Sequence, residues 1–349
     1  MTVARTLFHK CLAVLLLTGL FLLADTIVLP AVGQTIDTDA AVQPDANSTP
    51  TTTIVHNTWT AGTPMPTAVT YGAAAVLLSQ IYVVGGNRAA GNTRAGVVAD
   101  VQIYNPVTKV WSTGTSYPTT IEAASAAVIK GILYVFGGST DAITPTNAVW
   151  AYTPKTKTWS PKAAMPTARW GTEAVVNPKT NIVYVIGGDI NASGNGNVAT
   201  VESYNPVTNT WTEEAPMLVA KGQSAAGLLA GTTIVVADGF TNGGGTTGDT
   251  EGYNLATNIW STLASNPAGN RGAACSAAIG KLYDVGGANA ATITESFTLG
   301  TKKWNTTLAA IPQPIFFPAS AVYKGQLFCM GGWPAWLGTP QNSVQIYQP

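Results

Sequence analysis

The chain has 349 residues, of which only 10% are charged, and its 17 basic and 17 acidic side chains leave no formal net charge. So sparse and balanced a complement gives no global field to draw in nucleic acid or an anionic membrane surface, so functions that depend on such a field are excluded. With 36 glycines and abundant Thr, Ala and Val, the composition suits many short strands joined by tight turns.

At the N-terminus, Arg5 and Lys10 precede an apolar run from Cys11 to Ala24, and a second apolar patch, Ile27 to Val32, leads into Gly33. A basic start, an apolar centre and small residues at Ala31 and Gly33 predict a signal peptide over residues 1–33, with an uncleaved anchor as the alternative. Asp25 and Pro30 weigh against the anchor, because a charge inside a membrane span is costly. Residues 34–54 are rich in Thr, Asp, Ala and Pro without periodic apolar positions, which predicts a flexible linker. Residues 55–349 are then a domain outside the cytoplasm, secreted, periplasmic or at the cell surface, with no membrane insertion of its own. Loss of the signal would remove Cys11 and leave Cys275 and Cys329. A disulfide is open to them, although two small buried hydrophobes is the favoured expectation.

The domain repeats one unit. A β-branched or aromatic run ends in paired glycines at Gly85-Gly86, Gly137-Gly138, Gly187-Gly188, Gly286-Gly287 and Gly331-Gly332, and the fourth unit carries Asp238-Gly239 instead. Glycine at a strand end permits positive φ and close passage of a neighbouring backbone, and Asp tolerates the same conformation better than most residues. Each of the first five runs is followed by an aromatic and, seven residues on, a second one: Tyr104 and Trp111, Tyr152 and Trp159, Tyr204 and Trp211, Tyr253 and Trp260, Phe297 and Trp304. A turn between two aromatics at this spacing predicts a hairpin with the rings packed across paired strands.

Double glycine, later Tyr and Trp at a period near fifty resemble the kelch motif, and the resemblance covers nearly everything from Thr58 to Pro349. It implies an all-β, six-bladed propeller of four-stranded blades around a central channel. The last unit has Tyr347 but no Trp seven residues later, whereas Trp59 stands near the other end. The N-terminal strand is therefore expected to complete the last blade, which would leave no open ends. A monomer is expected.

Counting back fifteen residues from the first residue of each pair, with a correction for short insertions in the third and fourth units, reaches Thr70, Glu122, Arg169, Lys221, Arg271 and Phe316, expected to start the innermost strands at one rim of the channel. Arg169, Lys221 and Arg271 from consecutive units could hold a small anionic ligand, with Glu122 available for acid–base work. A solvated rim whose charges pair with local acids such as Glu173, or with backbone carbonyls, is the alternative. Phe316, Trp333 and Trp336 add aromatic faces on which a sugar could stack, and Trp170 and Phe317 lie beside them. Asp284 stands where other units carry apolar residues.

His9 and His56 are the only histidines, so a multi-histidine metal centre of the kind implied by likeness to the kelch copper oxidases is not available, and no metal or cofactor is expected. No nucleotide loop or serine nucleophile elbow is present either. Two functions remain. The favoured one is noncatalytic recognition of a glycan, peptide or protein partner at the channel rim. The other is a cofactor-independent sugar-acid isomerase, implied by a distant likeness to the sialic acid mutarotases, with Glu122 and Arg169 as its catalytic pair.

Overall fold

The computed structural model describes residues 54–349 apart from 192–194, 270–271 and 273–274. The expected signal peptide, and all of the expected linker but Ile54, lie outside the described residues. Six four-stranded antiparallel sheets are present among the described residues. The first runs outward from Ala73–Leu77 through Gln80–Val84 and Val101–Asn105 to Val110–Thr113. Four more repeat that order, with innermost strands Ser125–Ile129, Glu173–Asn177, Ala225–Leu229 and Cys275–Ala278. The sixth is built from Ala319–Tyr323, Gln326–Met330 and Val344–Gln348, and its outermost strand is Thr58–Ala61 from the other end of the chain.

The innermost strands of successive blades lie against one another, and those of the first and sixth blades do the same, so the ring is closed around an axial channel. Trp59 stands opposite Tyr347 in the closing pair of strands, as Trp111 stands opposite Tyr104. Those rings are 5.0 and 4.9 Å apart. Each of these tryptophans also donates its indole N–H to a backbone carbonyl just beyond the outer strand of the preceding blade. Trp111 reaches Thr63 at 2.9 Å, Trp159 reaches Thr115 at 3.1 Å, and Trp59 reaches Ala309 at 2.9 Å. The closing strand thus repeats the contact that ties every other blade to its neighbour, each such bond contributing on the order of 1 kcal/mol.

The paired glycines make the centre passable. Gly86 sits at φ 103°, and a Cβ there would lie 2.6 Å from the Thr70 carbonyl oxygen. Asp238 takes the corresponding first position of the fourth blade at φ 58°, with its carboxylate accepting from the Asn266 amide at 2.8 Å. Its place in the unit is structural.

One sequence expectation changes. Cys275, on the innermost strand of the fifth blade, and Cys329, on the second strand of the sixth, form a disulfide rather than a pair of separate buried hydrophobes. Spacing along the chain could not show that the two strands face each other across a blade boundary. The bridge closes a separation of 54 residues, which in the chain-entropy account stabilises the fold by roughly 4 kcal/mol.

Candidate functional site: the aromatic channel mouth

Two residues before five of the six innermost strands, the chain turns through a residue at positive φ: Tyr71 at 56°, Ala123 at 48°, Gly171 at 61°, Gln223 at 54° and Phe317 at 51°. These turns are hydrogen-bonded in series around the mouth of the channel. The Tyr71 N–H donates to the Phe317 carbonyl at 2.8 Å, Ala123 to Tyr71 at 2.9 Å, Gly171 to Ala123 at 2.8 Å, and Gln223 to Gly171 at 2.7 Å. A left-handed conformation costs a residue with a Cβ about 1–2 kcal/mol. The molecule nevertheless places a Tyr and a Phe there, where glycine serves in the third blade, and strained backbone carrying large side chains over an opening is characteristic of binding sites.

Tyr71 and Phe317 form the centre of an aromatic cluster, their ring centroids 4.2 Å apart. Trp333 meets Tyr71 edge-on at 5.6 Å, while Trp336 lies 5.5 Å from Phe317 and 5.8 Å from Phe240. Trp336 is 50% exposed, so one side of its indole is available to a ligand. A cavity of about 270 Å³ opens between Trp336, Phe240, Tyr71, Trp170 and Phe317, with Asp189, Asn197 and Gln223 supplying polar groups. Aromatic faces with a few convergent polar groups are the usual composition of a ligand pocket.

Below the mouth lies a narrower chamber of about 220 Å³, walled by Ala74, Ala126, Ala174 and Ala226 and by the hydroxyls of Ser125, Thr172, Ser276 and Ser320. Glu173 is its acid. A small cavity of about 90 Å³ joins the two levels, touching Tyr71, Gln223 and Phe317 above and Glu173 below. Among the described residues, the Glu173 carboxyl makes no hydrogen bond or ion pair. Enclosure by the channel walls pushes it up to about 8, and the charge of Asp284 adds to the rise.

The cations expected at the rim are elsewhere. Arg169 is fully buried, its guanidinium donating to Glu202 at 2.7 Å and to the carbonyls of Gly187 at 2.7 Å and Thr200 at 3.0 Å. Lys221 is equally buried and pairs with Glu251 at 3.2 Å while donating to the Asp249 carbonyl at 2.9 Å. Burial lowers the pKa of both cations, and the partner carboxylates oppose that shift. The reason is a slip of one residue. In the strand-start bridges it is Trp170 that pairs with Asp189, as Thr70 pairs with Asn87 and Glu122 with Ser139. Gly222 likewise pairs with Phe240. Arg169 and Lys221 stand one place earlier, and one place along an extended chain turns a side chain to the opposite face. Arg271 lies outside the described residues.

Glu122 is also withdrawn, buried and accepting from the Asn87 amide at 2.9 Å and the Asn92 amide at 3.2 Å. Burial pushes it up to about 7 against the lowering effect of those two bonds, with Asp141 adding a smaller rise. It anchors the loop after the first glycine pair and does not meet Arg169. Of the aromatic candidates, Phe316 is partly exposed and packs edge-on to Trp336 at 6.2 Å. Trp333 is fully buried, with its backbone paired to Phe316. It therefore supports the mouth instead of lining it, whereas Trp336 does line it. Tyr71, Gln223 and Phe240 are not marked by the sequence, and Glu173 is marked there only as a local acid that could pair with the rim cations, which it does not do with Arg169 or Lys221. The position after each strand-start bridge would have shown the first two, had the units been aligned by strand pairing. Among the described residues, no group of three His, Cys, Asp or Glu is placed to hold a metal ion.

The blades match known sequences. The family described as the KLHDC2/KLHL20/DRC7 Kelch-repeats domain matches residues 124–332, and the Kelch motif matches residues 69–116. Kelch-like protein terF of Aspergillus terreus is 26% identical over 295 residues, covering 79% of this chain and 64% of that protein. Human Kelch-like protein 23 is 28% identical over 256 residues, covering 72% of this chain and 44% of that protein. The chain thus spans less than two thirds of the length of these curated relatives. The solved structure titled "Structure of YjhT" superposes with a TM-score of 0.69 at 18% identity, covering 82% of this chain and 97% of that one, a likeness of fold. Together with six blades that each carry an aromatic pair across their two outer strands, the matched repeats show that the chain belongs to the kelch-repeat family.

Proposed function

We propose that the protein is a noncatalytic binding propeller that docks a polypeptide segment of a partner protein across its aromatic mouth. The carrying observation is the cavity beside the half-exposed Trp336, floored by Tyr71, Phe240 and Phe317. The apolar residues Ile190 and Leu337, next in the chain to the lining residues Asp189 and Trp336, are also exposed. An exposed tryptophan over a preformed aromatic floor is the kind of anchor that dominates interface energetics. A glycan would use the same rings, but Ile190 and Leu337 extend the apolar surface beyond the stacking faces and favour a peptide. Sugar-acid isomerisation loses its expected residues, since Glu122 and Arg169 are buried apart in separate polar networks. Freshly dissolved sialic acid anomers are accordingly expected to equilibrate at the uncatalysed rate with the protein present.

The test is a peptide array and a glycan array, each probed with the wild-type protein and with Trp336→Ala. The expected result is a defined set of peptides whose signal falls at least tenfold in the variant. A blank peptide array beside a bright, Trp336-dependent glycan array would reassign the mouth to carbohydrate, and peptide binding unchanged by the variant would move the site elsewhere. Export belongs to the same proposal, supported by the Cys275–Cys329 bridge, because disulfides persist in oxidising compartments. Fractionation of the producing cells with N-terminal sequencing tests it, with a start at Gln34 expected.

A further inference from the structure

We propose that the chamber beneath the mouth is a subsite for a primary ammonium on an unbranched carbon stem, the end of a lysine side chain on the docked segment, with Glu173 as its carboxylate partner. The assignment to a docked lysine rests on the peptide reading of the mouth, whereas the ammonium subsite itself does not.

The geometry supplies both halves of such a group. The small joining cavity is lined by Tyr71, Phe317 and Glu173 together. A stem entering from the mouth passes apolar rings before its head reaches the acid, which suits a side chain with a hydrocarbon stem and a charged tip. Aromatic faces also attract a cation through their quadrupole. In the chamber, the Ser276 and Ser320 hydroxyls stand on the walls with Glu173 and offer acceptors to the remaining ammonium protons. The alanine walls leave room for a slender group and exclude a branched one.

Charge selects the sign of the ligand. Among the described residues, no Lys, Arg or His lines the mouth, the joining cavity or the chamber. Among the described residues, the titratable groups near Glu173 include Asp284 on the second strand of the fifth blade, itself engaged in a further interaction, and Tyr71 at the neck. An anion entering this space would meet the Glu173 carboxyl with no cation among the described lining residues, whereas an ammonium would pair with it. An enclosed carboxyl with neither a hydrogen bond nor an ion pair is expensive to ionise, and an incoming cation is the partner it lacks.

The subsite carries its own pH signature. The carboxyl must lose its proton to pair with the ammonium, so affinity rises as pH climbs toward 8, about tenfold per unit well below that value. It then levels off until the amine itself deprotonates near 10.4.

Titration calorimetry with n-butylammonium, and with n-butanol as the uncharged control, tests the proposal on the wild-type protein, Glu173→Gln and Ala226→Leu between pH 6 and 9. Saturable millimolar binding of n-butylammonium is expected at pH 8.5, with roughly 50- to 100-fold tightening between pH 6 and 8.5. Glu173→Gln should weaken it at least tenfold and flatten the pH dependence. Ala226→Leu, which narrows the chamber from the adjoining wall of the fourth blade, should abolish it and weaken those array peptides that present a lysine while sparing those that do not. Thermal unfolding confirms that each variant is folded. Absence of saturable binding at pH 8.5, equal binding of n-butanol, or an unchanged affinity in folded Glu173→Gln would overturn the subsite. Such a result leaves peptide docking standing if the array signal still depends on Trp336, and loss of the array signal with n-butylammonium still binding would remove the peptide reading alone.

Discussion

Arg169 and Glu202 are joined inside the third blade, guanidinium to carboxylate at 2.7 Å, with both side chains closed off from solvent. Lys221 and Glu251 repeat the arrangement in the fourth blade at 3.2 Å. Glu251 also accepts from the Leu218 N–H at 2.7 Å, and in the first and sixth blades a glutamine serves the corresponding loop, Gln102 accepting from the Thr67 N–H and Gln345 from the Gln313 N–H, each at 2.9 Å. A polar residue on the third strand therefore holds the segment that leads into the innermost strand.

Removing one partner from a buried pair leaves an uncompensated charge, which costs about 3–5 kcal/mol. Arg169→Ala is therefore expected to lower the thermal midpoint by on the order of 10 °C. The double replacement Arg169→Met with Glu202→Leu should restore most of the loss, and calorimetry of the three proteins measures it.

Closure depends on Trp59 in the same way that the other blades depend on their own tryptophans. Trp59→Ala loses the ring packed on Tyr347 and the indole bond to Ala309, and an expected cost of about 3–5 kcal/mol follows from the size of the deletion. The unpaired edge of Val344–Gln348 would then be open to another chain. Size-exclusion chromatography on warming should show oligomers in the variant well below the wild-type midpoint.

Reduction separates the fifth blade from the sixth. Thiol titration of the protein from Gln34 onward should find no free thiol before reduction and two after it. The reduced protein is expected to unfold several degrees lower, in keeping with a loss of up to about 4 kcal/mol.

Stability should fall with rising pH across the weakly acidic and neutral range. Glu173 and Glu122 both start from 4.5 and are raised in the folded protein, to about 8 and about 7. The folded state therefore holds protons that the unfolded chain has already released. Stability is greatest below pH 4.5 as far as these two groups are concerned, and it declines until the folded groups have also ionised. Glu173→Gln removes its share, so the variant should match wild type near pH 4.5 and exceed it at pH 8.5 by on the order of 5 °C in midpoint. Thermal unfolding at the two pH values decides it, and an equal gain at both would contradict the assignment.

Whatever depended on local spacing could be read from the chain alone. Tyr104 and Trp111 are seven apart because a hairpin brings them face to face, and the same spacing, broken between Tyr347 and Trp59, disclosed the closed ring. Features set by contacts between distant segments were hidden. Cys275 and Cys329 meet only because adjacent blades stack. Arg169 and Lys221 were misplaced because the turns Pro178–Asn181 and Ala230–Thr232 lengthen their units by different amounts. A count along the sequence cannot fix to one residue where a strand begins, and one residue decided between an open rim and a buried ion pair. Glu173 read as a local partner for the rim cations, since nothing in the sequence around it marks the channel wall.

The most direct test of the mouth as the binding site is hydrogen–deuterium exchange of the protein with and without its strongest array peptide. Protection is expected to concentrate in residues 239–247 and 333–341 and around Tyr71 and Gln223, with the outer strands unchanged. Protection confined to the outer hairpin turns, or to the opposite end of the channel around Val176 and Leu228, would contradict it.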